Sequence, residues 1–271
     1  MSTLSSSKYQ VGIIGVGVMG EALLAGLVNS GFAKSQIAFA EKREERATEI
    51  STKYGASHKE IKDLAGTSDV ILLVVKPQDL GSLLAEYGHD FKSGSLLVSF
   101  AAGKTTSFIA GHVGSDVGII RVMPNTPTLV GLGMAAVSTG QSVAKEQLTF
   151  VEEFLATCGK VITVDEKLQD AVTAVSGSGP AYFFAFVEEM IKAATELGLS
   201  PEDAKTLTIQ TILGAGKMLD ESGLTPTKLR ENVTSPNGTT AAALNKFSEG
   251  KLGELIKVAM TAARDRSQEL A

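Results

Sequence analysis

From Tyr9 to about Val164, short apolar runs alternate with amphipathic stretches along the chain. The runs are Val11–Ile14, Ile37–Ala40, 70–75, 96–100, 118–122, 134–138 and 160–164. Several are rich in Val, Ile and Leu without strict alternation, the pattern of strands buried on both faces. Helical periodicity fills the intervals, most clearly over 21–30, Glu44–Tyr54 and 145–158. This rhythm predicts βαβ units and an α/β fold built on a doubly wound, mainly parallel sheet.

After Asp165 the texture changes to long helical patterns with little that reads as strand. Positions 181–197 are densely apolar, with Tyr182, Phe183, Phe184, Phe186, Val187, Met190 and Ile191. Ser200-Pro-Glu-Asp203 then supplies an N-cap, a proline at the first helical position and an acid at the third. The helix it opens should run to about Ser222, with Gly223 as its stop. Thr225-Pro226 starts a short helix, and 252–270 reads as a terminal one. The organisation expected is a dinucleotide-binding domain over 1–165 and an all-helical, substrate-binding and dimerising domain over 166–271. These helices carry more apolar surface than one small bundle hides, which points to an interlocked dimer.

Composition narrows the function classes. The 271 residues carry a net charge of −5, without the basic surplus that nucleic-acid binding normally needs. Cys158 is the lone cysteine, so an intramolecular disulfide is excluded, and its apolar helical setting suits packing. His58, His89 and His112 are scattered among polar or turn-forming neighbours, read as surface positions, and lack zinc-site spacing. No metal site is expected. The serine-rich first nine residues lack the apolar core of a secretory signal and read as a disordered lead-in. No stretch has the roughly 18 unbroken apolar residues of a membrane span. The expectation is a soluble, cytoplasmic protein in a reducing compartment.

The first chemical motif is Gly15-Val16-Gly17-Val18-Met19-Gly20, directly after the strand 11–14 and directly before a helix. In that context it reads as the phosphate loop of a Rossmann-like dinucleotide site. Gly15 permits the tight turn, Gly17 lets the backbone approach a pyrophosphate, and Gly20 lets the helix pack on the strand. Free N–H groups and the dipole at the helix start favour the phosphate charge. The second strand ends at Glu41, whose position after Gly20 is that of an acid reading a ribose diol, hence NAD. The adjoining Lys42 and Arg43, with Arg46 one turn on, are placed to hold a 2′-phosphate instead, hence NADP. The two signals conflict. Val74-Val75-Lys76-Pro77 and Phe100-Ala101-Ala102-Gly103 close two further strands at the edge where open α/β sheets gather ligands.

Three more stretches complete a pattern: Arg121-Val-Met-Pro-Asn-Thr-Pro127, Ser176-Gly-Ser-Gly-Pro-Ala-Tyr182 and Val233-Thr-Ser-Pro-Asn-Gly-Thr-Thr240. With the glycine loop and 74–77, in this order and at these separations, the chain resembles the pyrroline-5-carboxylate reductases from about Tyr9 to Gln268. Ser235-Pro-Asn-Gly-Thr-Thr240 is the most specific element. Asn237 stands where the family usually has a glycine, and Asn is the ordinary residue most tolerant of left-handed backbone. The loop should join two helices, with Thr239-Thr240 opening the second, so that free N–H groups and hydroxyls form a small anion site.

The resemblance implies NAD(P)H-dependent reduction of L-1-pyrroline-5-carboxylate to L-proline, with NADPH generally preferred and NADH used by some members. It implies that Ser235, Gly238, Thr239 and Thr240 bind the substrate, Thr240 nearest the imine nitrogen, and that Glu166 and Asn232 line the junction of substrate and cofactor. Val74, Val75, Lys76, Pro77, Phe100, Ala101 and Ala102 match the family's cofactor wall. Ser176 to Pro180 would open the long apolar helix, and Met123, Pro124 and Asn125 would shape the same cleft. Dimers form through the helical domain, and in some members these build decamers. The family's cofactor-touching Asn before the strand at 70 is replaced here by Ile61-Lys62-Asp63. An imine that arrives protonated needs no strong general acid, in keeping with the absence of an obvious catalytic His or Lys in the helical part. A 3-hydroxyacid dehydrogenase of similar layout would place a lysine early in the second domain. Here the first lysine after the Ser-Gly-Ser-Gly-Pro loop is Lys192, well along the helix. A non-catalytic NAD(P)H sensor would keep the glycine loop but has no need of 235–240.

Overall fold

The computed structural model describes residues 8–270, so the serine-rich start falls mostly outside the described residues. The chain divides into two compact units, one reaching to Ser178 and taking in the chain from Ala263 onward, the other Gly179–Ala262.

The first unit holds an eight-stranded sheet among the described residues. Its strands are β1 (Val11–Ile14), β2 (Ile37–Ala40), β3 (Ser57–His58), β4 (Val70–Leu73), β5 (Leu96–Ser99), β6 (Gly118–Met123), β7 (Gly133–Thr139) and β8 (Gly159–Thr163). The order across the sheet is β3-β2-β1-β4-β5-β6-β7-β8, parallel except where β7 pairs antiparallel with β6. The helices of this unit are α1 (Val18–Asn29), α2 (Glu44–Tyr54), α3 (Ile61–Thr67), α4 (Pro77–Tyr87), α5 (Thr106–Ala110), α6 (Lys145–Ala156) and α7 (Gln169–Val172). The doubly wound, mainly parallel sheet is as the hydrophobic pattern predicts. β3 escapes that pattern because two residues carry no periodicity.

Alternate residues of each central strand feed two separate cores. Val11, Ile13, Val70, Leu72, Leu96 and Val98 pack with Leu23 and Leu27 of α1 and Phe150 and Phe154 of α6. Ile14, Ile71, Leu73 and Leu97 pack with Leu64 of α3, Leu80 and Leu84 of α4 and Ile109 of α5. Full burial of such side chains contributes about 1.5–3 kcal/mol each before entropy is subtracted. This two-sided burial explains why the strand runs read as continuous apolar blocks.

The boundary between the units falls later than the change of texture at Asp165. Gln169 of α7 is fully buried and its Nε2 donates to the Ala136 carbonyl at 3.2 Å and to Ser138 Oγ at 2.8 Å, so α7 stays on the sheet unit. A π-helical turn follows over Thr173–Gly177. Ser176 and Gly177 therefore belong to this wide turn, and the long helix opens at Gly179, within the stretch 176–180 expected to open it.

The second unit holds α8 (Gly179–Glu196), α9 (Pro201–Glu221), α10 (Pro226–Asn232) and α11 (Thr239–Glu249); α12 (Leu252–Glu269) ends within the first unit. Ser200 caps α9 by accepting from the Asp203 N–H at 3.1 Å, and Thr225 caps α10 by accepting from Lys228 at 3.2 Å, both with proline just inside the helix. α8 packs on α9, with Ala204 and Thr208 buried. Phe183 and Phe184 nevertheless stay 63% and 67% exposed, and Leu213 and Val258 are similarly open. The apolar excess expected from the sequence is thus unburied within one chain.

A buried cation ties the late segment to the sheet. Arg121 on β6 is 3% exposed, with Nη1 3.5 Å from Glu166 Oε1 and Nη2 3.9 Å from Asp170 Oδ1. Asp170 also accepts from Ser267 Oγ at 2.7 Å, which fixes the end of α12 to α7. Removing one partner of a buried ionic cluster leaves the rest uncompensated, at a cost of about 3–5 kcal/mol. Arg121→Met is expected to lower the unfolding free energy by about 3 kcal/mol, read from the urea midpoint. A loss within the roughly 0.5 kcal/mol of an ordinary surface change would show that the cluster carries no such weight.

Candidate active site

The glycine loop sits at the carboxyl end of β1. Gly15 takes φ 93°, and a Cβ added there would lie 2.7 Å from the Val74 carbonyl oxygen at the end of β4. A Cβ on Gly20 would overlap the Gly15 carbonyl, so α1 packs on the strand end only because that position is glycine. A Cβ on Gly17 would meet nothing within 4 Å. Its backbone faces open space. Gly17 is the N-cap of α1 without a side-chain cap, which leaves the N–H groups of Val18, Met19 and Gly20 free for an anion.

That open space is a cavity of about 800 Å³, lined by Gly15, Gly17, Lys42, Arg43, Val74, Val75 and Lys76 among the expected residues. Ile61, Leu83 and Tyr87 add an apolar wall. The loop, the free N–H groups, the basic rim and the volume fit a dinucleotide, whose pyrophosphate would rest on the glycine loop. Lys76 is the exposed N-cap residue of α4 and Pro77 is its first residue. Phe100, Ala101 and Ala102 follow β5 one strand over, where Phe100 N–H donates to the Leu73 carbonyl at 3.0 Å; they are not among the residues lining this cavity. Val16 is fully buried.

Near the ribose end, Glu41 is committed. Its Oε1 accepts from Arg43 Nε at 3.1 Å and from the Arg43 backbone N–H at 3.2 Å. Burial opposes its ionisation, but the Arg43 bonds and charge, helped by the Val16 backbone N–H, outweigh that and hold the carboxyl below its ordinary range. Arg46 is turned away from the basic rim: it bonds the Val16 carbonyl, Glu21 and Glu49. It was grouped with Lys42 and Arg43 by spacing alone, and spacing does not tell which way a long side chain turns.

His58 and Lys59 also line the cavity, carried there by β3. The His58 ring stacks on Phe39 at 5.3 Å, and its Nε2 lies 3.2 Å from the Glu41 carbonyl oxygen. His58 is exposed, as the sequence suggests, and its place beside the cavity is what the sequence did not show. The signal that could have found it is its pairing with Phe39, which the short β3 run concealed.

Other expected residues are distributed as follows. Glu166 Oε1 accepts from the Thr106 N–H and Oε2 from Thr106 Oγ1, both at 2.7 Å, so this carboxylate caps α5 in the first unit. Asn125 receives the Met134 N–H at 2.8 Å and donates to Ser176 Oγ at 3.3 Å, while a Cβ on Gly177 would overlap the Met123 side chain. Met123–Asn125 thus packs against the π turn. Asn232, Ser235, Gly238, Thr239 and Thr240 all lie in the second unit, between the end of α10 and the start of α11.

The loop 235–240 forms as the sequence predicts. Gly238 N–H donates to the Ser235 carbonyl at 3.1 Å, closing a turn around Pro236 and Asn237. Asn237 adopts φ 59°, the left-handed conformation for which Asn is suited. Gly238 is the N-cap of α11 without a side-chain bond, so the N–H groups opening that helix at Thr239 and Thr240 are free. The arrangement leaves free N–H donors at a helix start, where an anion can be received. Among the described residues no group of three or more His, Cys, Asp or Glu is placed to hold a metal ion, and no helix is long and apolar enough to cross a membrane.

Comparison with known proteins gives the family of both stretches of the chain. Residues 166–270 match the family model for pyrroline-5-carboxylate reductase dimerisation, and residues 10–103 match a model described as NADP oxidoreductase, coenzyme F420-dependent. The pyrroline-5-carboxylate reductase of Corynebacterium melassecola is 38% identical, over 96% of this chain and 98% of its own. The solved structure of a pyrroline-5-carboxylate reductase from Coxiella burnetii matches 98% of this chain and 99% of its own, with 34% identity and a TM-score of 0.91. The Plasmodium falciparum pyrroline carboxylate reductase, solved with NADP bound, matches 97% and 98% of the two chains, with 31% identity and a TM-score of 0.85.

Glu21, in the first turn of α1, was not singled out from the sequence. A bond from Lys53 pulls its carboxyl down to about 2; burial opposes the shift, and bonds from Arg46 and Tyr54 add to it. The folded value lies below the ordinary 4.5, so this contribution is present above that pH and is lost as pH falls toward 2. Melting temperatures across that window should drop more steeply for the wild type than for Glu21→Gln. Parallel curves would remove Glu21 as the source.

Proposed function

The chain belongs to the pyrroline-5-carboxylate reductase family, and from that premise we infer that it reduces L-1-pyrroline-5-carboxylate to L-proline with NAD(P)H, the final step of proline biosynthesis. The observation that carries this reading is the match of nearly the whole chain to reductases of that name, sheet unit and helical unit together.

A reduced nicotinamide, when bound, would supply a hydride for the imine carbon, with a proton completing the amine at nitrogen. The protein's own groups hold and orient. The N–H groups of Gly17 to Gly20 and the α1 dipole receive the pyrophosphate, while Val74, Val75 and Lys76 border the same cavity. Phe100, Ala101, Ala102 and Pro77 complete the cofactor wall at the neighbouring strand end. The free N–H groups at the start of α11, with Ser235 and Thr239, take the substrate carboxylate. Thr240 orients the imine nitrogen and passes the proton. With no strong acid required, orientation supplies most of the rate. Glu166 and Asn232 serve the substrate and cofactor sides respectively; the Glu166 bonds to Thr106 support a part in fixing the chain just beyond Phe100–Ala102.

NADPH is the preferred cofactor in this reading, with NADH usable. The support is local: the Glu41 carboxylate, the group suited to a ribose diol, is occupied by Arg43, and Lys42 stands on the cavity rim. The partner is a second copy of the chain, docked through the exposed apolar helices of the dimerisation region, in the cytoplasm. Dimers that associate further would give a decamer.

Loss of reduced-nicotinamide absorbance is expected with pyrroline-5-carboxylate and not with hydroxy- or keto-acids. No oxidation with either cofactor would overturn the assignment. Thr240→Ala should lower kcat by about 100-fold while cofactor affinity, followed by fluorescence, is retained, and Thr240→Ser should recover most of the rate. Lost cofactor binding would mean the residue's place is misjudged. Lys42→Ala should raise KM for NADPH about tenfold and leave NADH unchanged, the loss of one phosphate-directed charge; an equal rise for both would remove Lys42 from the 2′-phosphate.

A further inference from the structure

An acid in the first turn of a helix that receives phosphates is a liability, because its charge repels the ligand the dipole attracts. Glu21 is such an acid. Lys53 Nζ donates to it at 2.8 Å and Tyr54 Oη at 2.9 Å, and the Arg46 guanidinium contacts it through Nη2. Of these three, Arg46 also reaches the glycine loop itself. Its Nε donates to the Val16 carbonyl oxygen at 3.0 Å, while Nη1 pairs with Glu49 at 2.7 Å on its own helix, and the side chain is 17% exposed.

The Val16 carbonyl shares a planar peptide with the Gly17 N–H, and in a trans peptide the two point in opposite directions. A donor that holds the carbonyl from the α2 side therefore sets the direction of that N–H. Glycines flank Val16 on both sides and give the loop little stiffness of its own. Gly17 is also the loop residue beside the open cavity.

We propose that Arg46 is a positioning residue of the cofactor site: it locks the Val16–Gly17 peptide so that the Gly17 N–H serves the pyrophosphate, and it cancels the Glu21 charge beside it. The proposal rests on reading the glycine loop as the pyrophosphate site. It assigns Arg46 to the part that NADH and NADPH share, not to the 2′-phosphate.

Calorimetry with ADP and with adenosine, on the full chain, separates these roles without turnover. Arg46→Ala should weaken ADP about tenfold and leave adenosine unchanged, the size expected for losing a charge-assisted contact. It should also raise KM for NADH and NADPH by the same factor, with kcat at saturation retained. Arg46→Lys, which keeps the charge and one donor, should recover part of the loss. Should the alanine variant fail to fold, Arg46→Lys and Arg46→Gln carry the same comparison with smaller effects. A loss confined to NADPH would make Arg46 a 2′-phosphate ligand and overturn the proposal, as would unchanged ADP affinity in every folded variant. Failure of wild-type protein to bind ADP would instead remove the underlying reading of the loop.

Discussion

A sheet buried on both faces leaves its chemistry a single outlet, the ends of its strands. Almost every side chain of β1, β4 and β5 goes to one core or the other, with Ser99 of β5 the buried polar exception, and a polar group there loses its solvation. What remains is the backbone where each strand stops. Gly15 at the end of β1 and Val74 at the end of β4 are such points, and both line the cavity. The charged residues nearby act mostly on one another or on the loop: Arg43 on Glu41, Arg46 and Lys53 on Glu21. Affinity for a dinucleotide in such a site comes from fixed dipoles whose geometry is settled before the ligand arrives.

The helical unit obeys the opposite constraint. Its helices share too few internal faces to hide their aromatic and aliphatic residues, and Phe183, Phe184 and Leu213 remain open in a single chain. A region of this kind acquires its core by association, and residues 166–270 match a dimerisation model accordingly. The turn before α11 needs no such association to take shape, because it is closed by local bonds.

Much of this was legible in the sequence, for reasons that differ from element to element. The central strands announced themselves because burial on two faces removes polar interruptions, and the glycine loop because three glycines at fixed spacing answer three separate steric demands. The caps of α9 and α10 were readable because they are local. β3 was not, since two residues have no period. The π turn ahead of the long helix was not legible either, because it uses helix-forming residues and leaves no mark in composition. The roles of Glu21 and Arg46 were invisible for a further reason: they lie 25 positions apart in sequence, and only the packing of α2 beside α1 brings them together. His58 was hidden by the same dependence on a neighbouring strand.

The turn at 235–240 bears on how the protein ages. An Asn followed by Gly is the pair most prone to cyclise, the glycine nitrogen attacking the side-chain amide and ammonia leaving, with Asp or isoaspartate after hydrolysis. Asn237-Gly238 is such a pair, yet the Gly238 nitrogen is engaged by the Ser235 carbonyl. The bond that closes the turn is thus also a chemical guard on it. Each opening of the turn frees the nitrogen, and a completed reaction would leave a permanent negative charge beside the start of α11. The working life of the loop is tied to how rarely it opens.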